Sequence, residues 1–188
     1  MNGMVRSEIA TLHLFAGGGG GILADRLLGR DIVGAVELER YQREVLLSRQ
    51  ADGILPLFPI WDDVTTFRAD NPDTQAYIEG LRSIREHLCI AGGFPCQDLS
   101  IAGKGAGLDG ARSGLWREMR RIIGEVGPRY ILVENSPMLV VRGLDRVAGD
   151  LAELGYGFRW GIVGADDAGA AHRRKRFWLW GELADPDR

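Results

Sequence analysis

The sequence predicts an α/β fold built on a mainly parallel sheet, and three observations support this. Short apolar segments rich in β-branched residues alternate with helical stretches along the chain. A run of five glycines, 17–21, follows the first apolar segment, where a strand would turn into a helix. No internal repeat or long linker divides the 188 residues, which suffice for one proper core. We therefore expect a single domain over residues 1–188.

Apolar runs set the predicted strands, and capping residues set the predicted helices. The strands are expected at 9–15, 32–36, 55–60, 88–91, 130–133, 158–163 and 176–180. The helices are expected at 22–28, 40–49, 73–86, 114–126 and 144–154. Asn71-Pro72 begins the third helix, since proline suits a first turn, and Ser113 caps the fourth. Pro56 and Pro59 weaken the third strand because proline has no N–H for the ladder.

Composition restricts the class of protein without deciding its partner. The hydrophobic content of 45% and charged content of 26% fit a soluble globular protein. Neither a membrane-spanning run nor a signal-peptide pattern is present, so we expect a cytoplasmic site. The net charge of −3 argues weakly against nucleic acid, but arginine clusters near Arg112–Arg121 and Arg173–Arg176 leave DNA open. The spacing of Cys89 and Cys96 indicates neither a disulfide framework nor a metal site.

Chemically useful side chains lie at or near the ends of three different predicted strands. Cys96 lies in a glycine- and proline-rich loop, Glu134-Asn135 ends another strand, and Arg174 and Arg176 lie near the C-terminus. Because the ends of parallel strands meet at one edge of a sheet, these residues predict an active site there. The glycine run and Glu37, after the second strand, predict a nucleotide-like cofactor. On these features alone the cofactor could be NAD or S-adenosylmethionine.

These motifs, in this order, resemble those of the DNA cytosine-C5 methyltransferases. The resemblance rests on Leu14–Gly19, Gly92–Gln97, Glu134-Asn135 and Gly169–Arg176. It implies a Rossmann-like, S-adenosylmethionine-dependent fold: a twisted, mainly parallel sheet with helices on both faces. It also implies S-adenosylmethionine as cofactor, DNA as partner, and a bacterial or phage-infected host cell. Four residues depart from the family pattern, namely His13, Ser136, Ala171 and His172.

The resemblance also assigns cofactor contacts to particular positions. Glu37 would hold the ribose, Leu38 would pack on the adenine, and Asp63 would contact its amino group. The remaining expected cofactor residues are Phe15, Ala16, Gly17, Gly19, Gly20 and Pro95. No metal ion is expected.

The catalytic residues implied by the resemblance are Cys96, Glu134, Arg174 and Arg176. A Cys96 thiolate would add to C6 of cytosine and activate C5, while Glu134 supports N3. One arginine would donate to O2, and the other would pair with a carboxylate or phosphate. Substrate contacts are expected from Gln97, Ser100, Lys104, Arg112 and Asn135, with Asn135 also holding the local backbone. The stretch 100–113 resembles a mobile loop that closes over a base rotated out of the duplex.

The resemblance ends at Arg188, where family members continue into a target-recognition region and two closing motifs. We therefore expect a compact or truncated enzyme with short or relaxed sequence specificity. Two alternatives remain: the catalytic half of a split enzyme, or a non-catalytic remnant that binds S-adenosylmethionine and DNA. Apolar surface near Trp178 and Trp180 would favour a second polypeptide or self-association. An RNA substrate and an NAD-linked oxidoreductase also remain as alternatives.

Overall fold

A computed structural model describes residues 8–95 and 114–184 of the protein. Within those ranges the strands are β1 (Ala10–Leu14), β2 (Asp31–Val36), β3 (Ile60–Trp61), β4 (Leu88–Gly92), β5 (Tyr130–Asn135), β6 (Tyr156–Gly164) and β7 (Lys175–Leu183). The α-helices there are α1 (Gly20–Leu27), α2 (Arg40–Ala51), α3 (Pro72–Ser83), α4 (Leu115–Val126), α5 (Leu139–Arg142) and α6 (Leu144–Glu153). Single 3-10 turns occur at Arg85–His87 and Asp166–Ala168.

The strands form one seven-stranded sheet in the order β3-β2-β1-β4-β5-β7-β6. The pairs β2–β3, β1–β2, β1–β4 and β4–β5 are parallel, whereas β7 runs antiparallel to both β5 and β6. The sheet is therefore mainly parallel, as the sequence predicts. The chain order reverses between β1 and β4, and open α/β sheets bind ligands at the carboxyl ends of strands beside such a switch point.

Helices cover both faces of the sheet. Val36 joins a large cluster with residues of α3, α4 and α6, while its neighbour Ala35 joins a smaller cluster with α1 and α2. Adjacent residues of a strand point to opposite faces, so the two clusters lie on opposite sides of the sheet. No helix among the described residues is long and apolar enough to cross a membrane.

Local signals placed most elements correctly, and two differences have clear causes. The prediction of a strand over 55–60 is wrong, because only Ile60–Trp61 pairs with β2. Leu55 and Phe58 are buried in the smaller cluster, so that apolar run forms part of the core without joining the ladder. The four-residue α5 was not predicted, because a single turn shows no helical periodicity.

The helix-capping predictions also have defined outcomes. The Asn71 side chain accepts a hydrogen bond from the Asp73 N–H, with Pro72 in the first turn of α3, as predicted. That helix ends at Ser83, so the predicted extension to residue 86 is wrong. Ser113 lies outside the described residues.

Candidate active site

The glycine run forms the turn between β1 and α1. Phe15 takes a φ of 55°, an uncommon value for a residue with a side chain, and Gly17 takes the same φ of 55°. Gly19 has a φ of 88°, and a Cβ there would lie 2.7 Å from Leu46 Cδ2. Glycine is therefore required at Gly19 for both conformation and space. This turn lies at the carboxyl end of β1, the edge at which a ligand site is expected.

The Glu37 carboxylate holds the glycine turn from β2. Its Oε2 accepts a hydrogen bond from the Gly17 N–H at 2.6 Å, and its Oε1 accepts from the Glu39 N–H at 2.9 Å. Glu37 is only 7% exposed. Each carboxylate oxygen can accept a further bond, so these contacts leave acceptor capacity for a ligand. Contact with a ribose stays a prediction.

The two positions expected to contact adenine lie on neighbouring strands. Leu38 follows β2 by two residues and Asp63 follows β3 by two, and the paired residues Val36 and Trp61 set those strands side by side. Leu38 is exposed. Asp63 Oδ1 accepts from the N–H and the hydroxyl of Thr65, both at 2.8 Å. The structure thus brings the two positions to one edge, beside the glycine turn.

A second part of the candidate site centres on Glu134 and Arg176, and we name it the base side after the base that the resemblance predicts there. Arg176 Nε lies 2.6 Å from Glu134 Oε1, with side-chain exposures of 28% and 35% respectively. The antiparallel pairing of β5 with β7 aligns Glu134 with Trp178 and so brings Arg176 beside the end of β5. A partly exposed ion pair of this kind contributes little to the free energy of folding. Glu134 and Arg176 can therefore exchange their contact with each other for contacts with a ligand at a small cost in free energy.

The segment leading to Cys96 is fastened to the same strand end. A Cβ on Gly93 would lie 2.7 Å from Glu134 Oε2, so the backbone approaches the carboxylate as closely as glycine allows. Asn135 is buried, and its Nδ2 donates to the Phe94 carbonyl at 3.1 Å while its Oδ1 accepts from the Ser136 N–H at 2.7 Å. Asn135 therefore holds the backbone before Cys96, as predicted, and its substrate contact stays a prediction.

The remaining predicted site residues fall into two groups. Cys96, Gln97, Ser100, Lys104 and Arg112 lie outside the described residues. Pro95 is half-buried, and Arg174 is exposed just before β7, with its carbonyl accepting from the Ala165 N–H at 3.1 Å. The roles assigned to these residues stay predictions.

His13, which departs from the family pattern, lies in a buried polar cluster beneath the glycine turn. His13 Nε2 lies 3.0 Å from Asp25 Oδ2, and Arg30 Nη1 lies 3.0 Å from Asp25 Oδ1. Burial acts to raise the pKa of Asp25, but the contacts with His13 and Thr11 outweigh it and lower the pKa below its ordinary value. The presence of a histidine at position 13 did not by itself indicate that Asp25 of α1 would be its partner.

Sequence reasoning also missed two arginines that contact the turns around this site. Arg43 of α2 donates to the carbonyls of Glu37 and Leu38. Arg121 of α4 donates to the carbonyls of Val64 and Phe67. In the sequence, Arg121 lies three residues after Glu118 and four before Glu125, which indicates ion pairs within its helix. That spacing does not indicate a contact with the turn at 64–67.

The strand order and the glycine turn at the carboxyl edge are those of the Rossmann-like fold of S-adenosylmethionine-dependent methyltransferases. Solved structures agree with this fold. Dnmt2 methyltransferase of S. pombe matches with a TM-score of 0.68 at 20% identity, over 93% of this chain and 51% of that one. The Entamoeba histolytica methyltransferase EhMeth matches with a TM-score of 0.71 at 13% identity, over 96% of this chain and 54% of that one.

Within that class, the chain belongs to the C-5 cytosine-specific DNA methylases, whose family model matches residues 9–187. The chain is 32% identical to type II methyltransferase M.CviJI of Paramecium bursaria Chlorella virus IL3A, over 89% of this chain and 41% of that protein. It is 27% identical to type II methyltransferase M.HhaI of Haemophilus parahaemolyticus, over 89% of this chain and 47% of that protein. The chain thus spans less than half the length of these curated relatives.

Proposed function

We propose that this chain transfers a methyl group from S-adenosylmethionine to C5 of a cytosine rotated out of DNA, through a covalent adduct with Cys96. The observation that carries the proposal is the pairing of Glu134 with Arg176 at 2.6 Å. Glu134 of this pair lies against Gly93, three residues before Cys96 in the sequence, at the sheet edge that also carries the glycine turn. A cofactor and a base bound at this edge would be neighbours.

The glycine turn and its surroundings fit S-adenosylmethionine. Glu37 would accept from the ribose hydroxyls, Leu38 offers an exposed apolar side chain to the adenine, and Asp63 would accept from its amino group. When bound, S-adenosylmethionine supplies an electrophilic methyl group on a positively charged sulfur. Membership of the C-5 cytosine-specific methylases favours this cofactor over NAD.

On the base side, the reaction requires activation of a ring carbon that is a poor nucleophile. The Cys96 thiolate forms a bond to C6, and the electron pair of the C5–C6 double bond makes C5 nucleophilic. Glu134, in its protonated form, would donate a proton or hydrogen bond to N3 as charge moves into the ring, and Arg176 would donate to O2. After C5 takes the methyl group, the remaining thioether would leave as S-adenosylhomocysteine and the C5 proton would pass to water. Cleavage of the bond to Cys96 then releases the thiolate and restores the aromatic ring, and N3 returns its proton to Glu134.

The orientation of the Glu134 carboxylate supports this assignment. Oε1 is held by Arg176, while Oε2 lies near Gly93, which precedes Cys96 by three residues in the sequence. Because Arg176 binds only Oε1 of the Glu134 carboxyl group, Oε2 is left for the proposed contact with the base. Arg176, held by the same pairing, would then lie next to the proposed base.

The decisive experiment is base-resolution cytosine-methylation sequencing of a methylation-free bacterial host that expresses this chain alone. We expect methylated cytosines in a short or relaxed sequence context, and none when Cys96→Ser is expressed at the same level. DNA containing 5-fluorocytosine should trap a covalent complex, because that ring cannot lose its C5 substituent as a proton. Folded protein that yields neither methylation nor a trapped complex would overturn the proposal.

A second candidate is an enzyme that requires another polypeptide or a second copy of itself. Trp178 is 39% exposed and Val163 is 46% exposed, and both lie on the sheet face that carries Glu134. Apolar side chains at this position favour a covering partner. Light scattering over a range of concentrations tests self-association. A monomer at every concentration with full activity alone would exclude this candidate.

A further inference from the structure

Two turns of the proposed cofactor site share an unusual form of support. The first, which we name the ribose turn, comprises residues 37–39, and the second, which we name the adenine turn, comprises residues 63–67. Each receives two hydrogen bonds on its backbone carbonyls from one arginine of a neighbouring helix. Neither arginine belongs to the residues expected to contact the cofactor.

Arg43 supports the ribose turn from α2. Its Nη1 donates to the Glu37 carbonyl at 2.9 Å and also to the Leu38 carbonyl. The side chain of Glu37 is meanwhile held by the N–H groups of Gly17 and Glu39. The turn is thus restrained through its carbonyls by a guanidinium and through its carboxylate by backbone N–H groups.

Arg121 supports the adenine turn from α4. Its Nη2 donates to the carbonyls of Val64 and Phe67, each at 3.0 Å. Its remaining donors bind Glu118 at 2.9 Å and Glu125 at 2.8 Å on its own helix. Glu125 also accepts from the Ala69 N–H at 2.9 Å, just past the turn. The planar fork of arginine suits such multiple acceptors, and lysine cannot reproduce it.

The arrangement of Arg43 differs from that of an ordinary helix-surface arginine. Arg40, one turn earlier on α2, pairs with Glu44 at 2.8 Å while its side chain remains 85% exposed. Such exposed pairs contribute little to stability. Arg43 instead directs its donors at the two carbonyls that set the direction of the ribose turn. Arg40 is therefore a matched control of the same charge on the same helix.

We propose that Arg43 and Arg121 are positioning residues for the adenosine half of the cofactor. Arg43 holds the ribose turn so that Glu37 faces the ribose hydroxyls, and Arg121 holds the adenine turn so that Asp63 faces the adenine amino group. The inference rests on the proposed function. It predicts that each arginine affects recognition of a different part of the same ligand.

The test uses equilibrium titration of the full chain with S-adenosylhomocysteine and two analogues. One analogue lacks the ribose 2′-hydroxyl, and the other carries inosine in place of adenosine. We expect Arg43→Ala to weaken S-adenosylhomocysteine binding about tenfold, the effect of about one well-formed hydrogen bond, and to reduce the preference for the 2′-hydroxyl. Arg40→Ala should change neither the affinity for S-adenosylhomocysteine nor the preference for the 2′-hydroxyl. Arg121→Lys should reduce the preference for adenosine over inosine.

Selectivity ratios separate positioning from mere structural support. The two dissociation constants that form a selectivity ratio are measured on one preparation of the same variant. A fraction of unfolded protein therefore does not change their ratio. The inference is overturned if the variants weaken all three ligands equally, or if Arg43→Ala binds them as the wild type does. If the wild-type chain binds no S-adenosylhomocysteine, the proposed function fails instead, which is a different result from unchanged selectivity in a binding-competent chain.

Discussion

The cofactor side and the base side of the candidate site are built on different physical terms. On the cofactor side, Glu37 is buried and its carboxylate is bound by two backbone N–H groups. On the base side, Glu134 and Arg176 are partly exposed and bound mainly to each other. Backbone contacts fix the first side before any ligand arrives, whereas the second side retains charges that a substrate can engage. The proposed methyl donor has a constant shape and would suit the first side, and the proposed base, which is rotated into place, would suit the second.

Substitution of Glu134 gives the largest expected effect and should separate the two sides. Gln in place of Glu134 keeps the shape but cannot donate a carboxyl proton to N3, so we expect kcat to fall about 10²–10⁴-fold. Binding of S-adenosylhomocysteine should not change, because Glu134 lies outside the glycine turn. Glu182→Gln, which removes the carboxylate paired with Arg129 at the other end of β7, is the control. An equal loss in both variants would contradict the assignment.

A methyl group added at Gly93 should damage the base side next most strongly. The Cβ of Gly93→Ala would lie 2.7 Å from Glu134 Oε2, so the carboxylate or the segment leading to Cys96 must move. We expect kcat to fall about a hundredfold, since misplacement near 1 Å has this effect on reacting groups. Gly161→Ala on β6 is the matched control, because among the described residues no atom other than those of Gly161 and its chain neighbours lies within 4 Å of the added Cβ. Steady-state kinetics with unchanged cofactor binding would support this account, and normal activity of Gly93→Ala would contradict it.

On the cofactor side, Glu37→Gln should affect affinity and spare the chemical step. An amide can offer only one acceptor oxygen to the two N–H groups that Glu37 now binds, so the glycine turn loosens. We expect the dissociation constant of S-adenosylhomocysteine to rise about tenfold with little change in kcat at saturation. Glu44→Gln, an exposed change on α2, serves as the control. A fall in kcat as large as that of Glu134→Gln would remove the distinction between the two sides.

The smallest effect concerns the buried cluster beneath the glycine turn and depends on pH. Contacts with His13 and Thr11 lower the pKa of Asp25, so its stabilising contribution is present above the unfolded-state pKa and is lost as pH falls through the folded-state value. Asp25→Asn should therefore be less stable than the wild type near neutrality, and the difference in Tm should narrow in acid. Thermal unfolding from neutral pH down to about pH 3 measures this, since the ordinary aspartate pKa lies near 3.9. Asp31→Asn, which changes an exposed aspartate, is the control. A difference in Tm between Asp25→Asn and the wild type that widens in acid would contradict the prediction.

Local sequence was sufficient for most of the fold because the relevant signals act over a few residues. Apolar runs placed the strands, and Asn71-Pro72 placed the start of α3, since the cap bonds a residue two positions away. The third strand was predicted at 55–60 instead of Ile60–Trp61, because Leu55 and Phe58 are buried against helices and burial alone does not distinguish a strand from a core-packed loop.

Local patterns in the chain were enough to predict the fold class, the order of the motifs and the residues at strand ends. Which of those residues meet depends on how the strands pair in the folded protein. Arg176 reaches Glu134 because β7 lies antiparallel between β5 and β6. The paired residues of β5 and β7 are at least 42 positions apart along the chain. Arg43 and Arg121 bind backbone carbonyls, which every residue carries, so no side-chain pattern could indicate those contacts. Long-range pairing depends on the packing of the whole sheet, and short-range sequence patterns contain no measure of it.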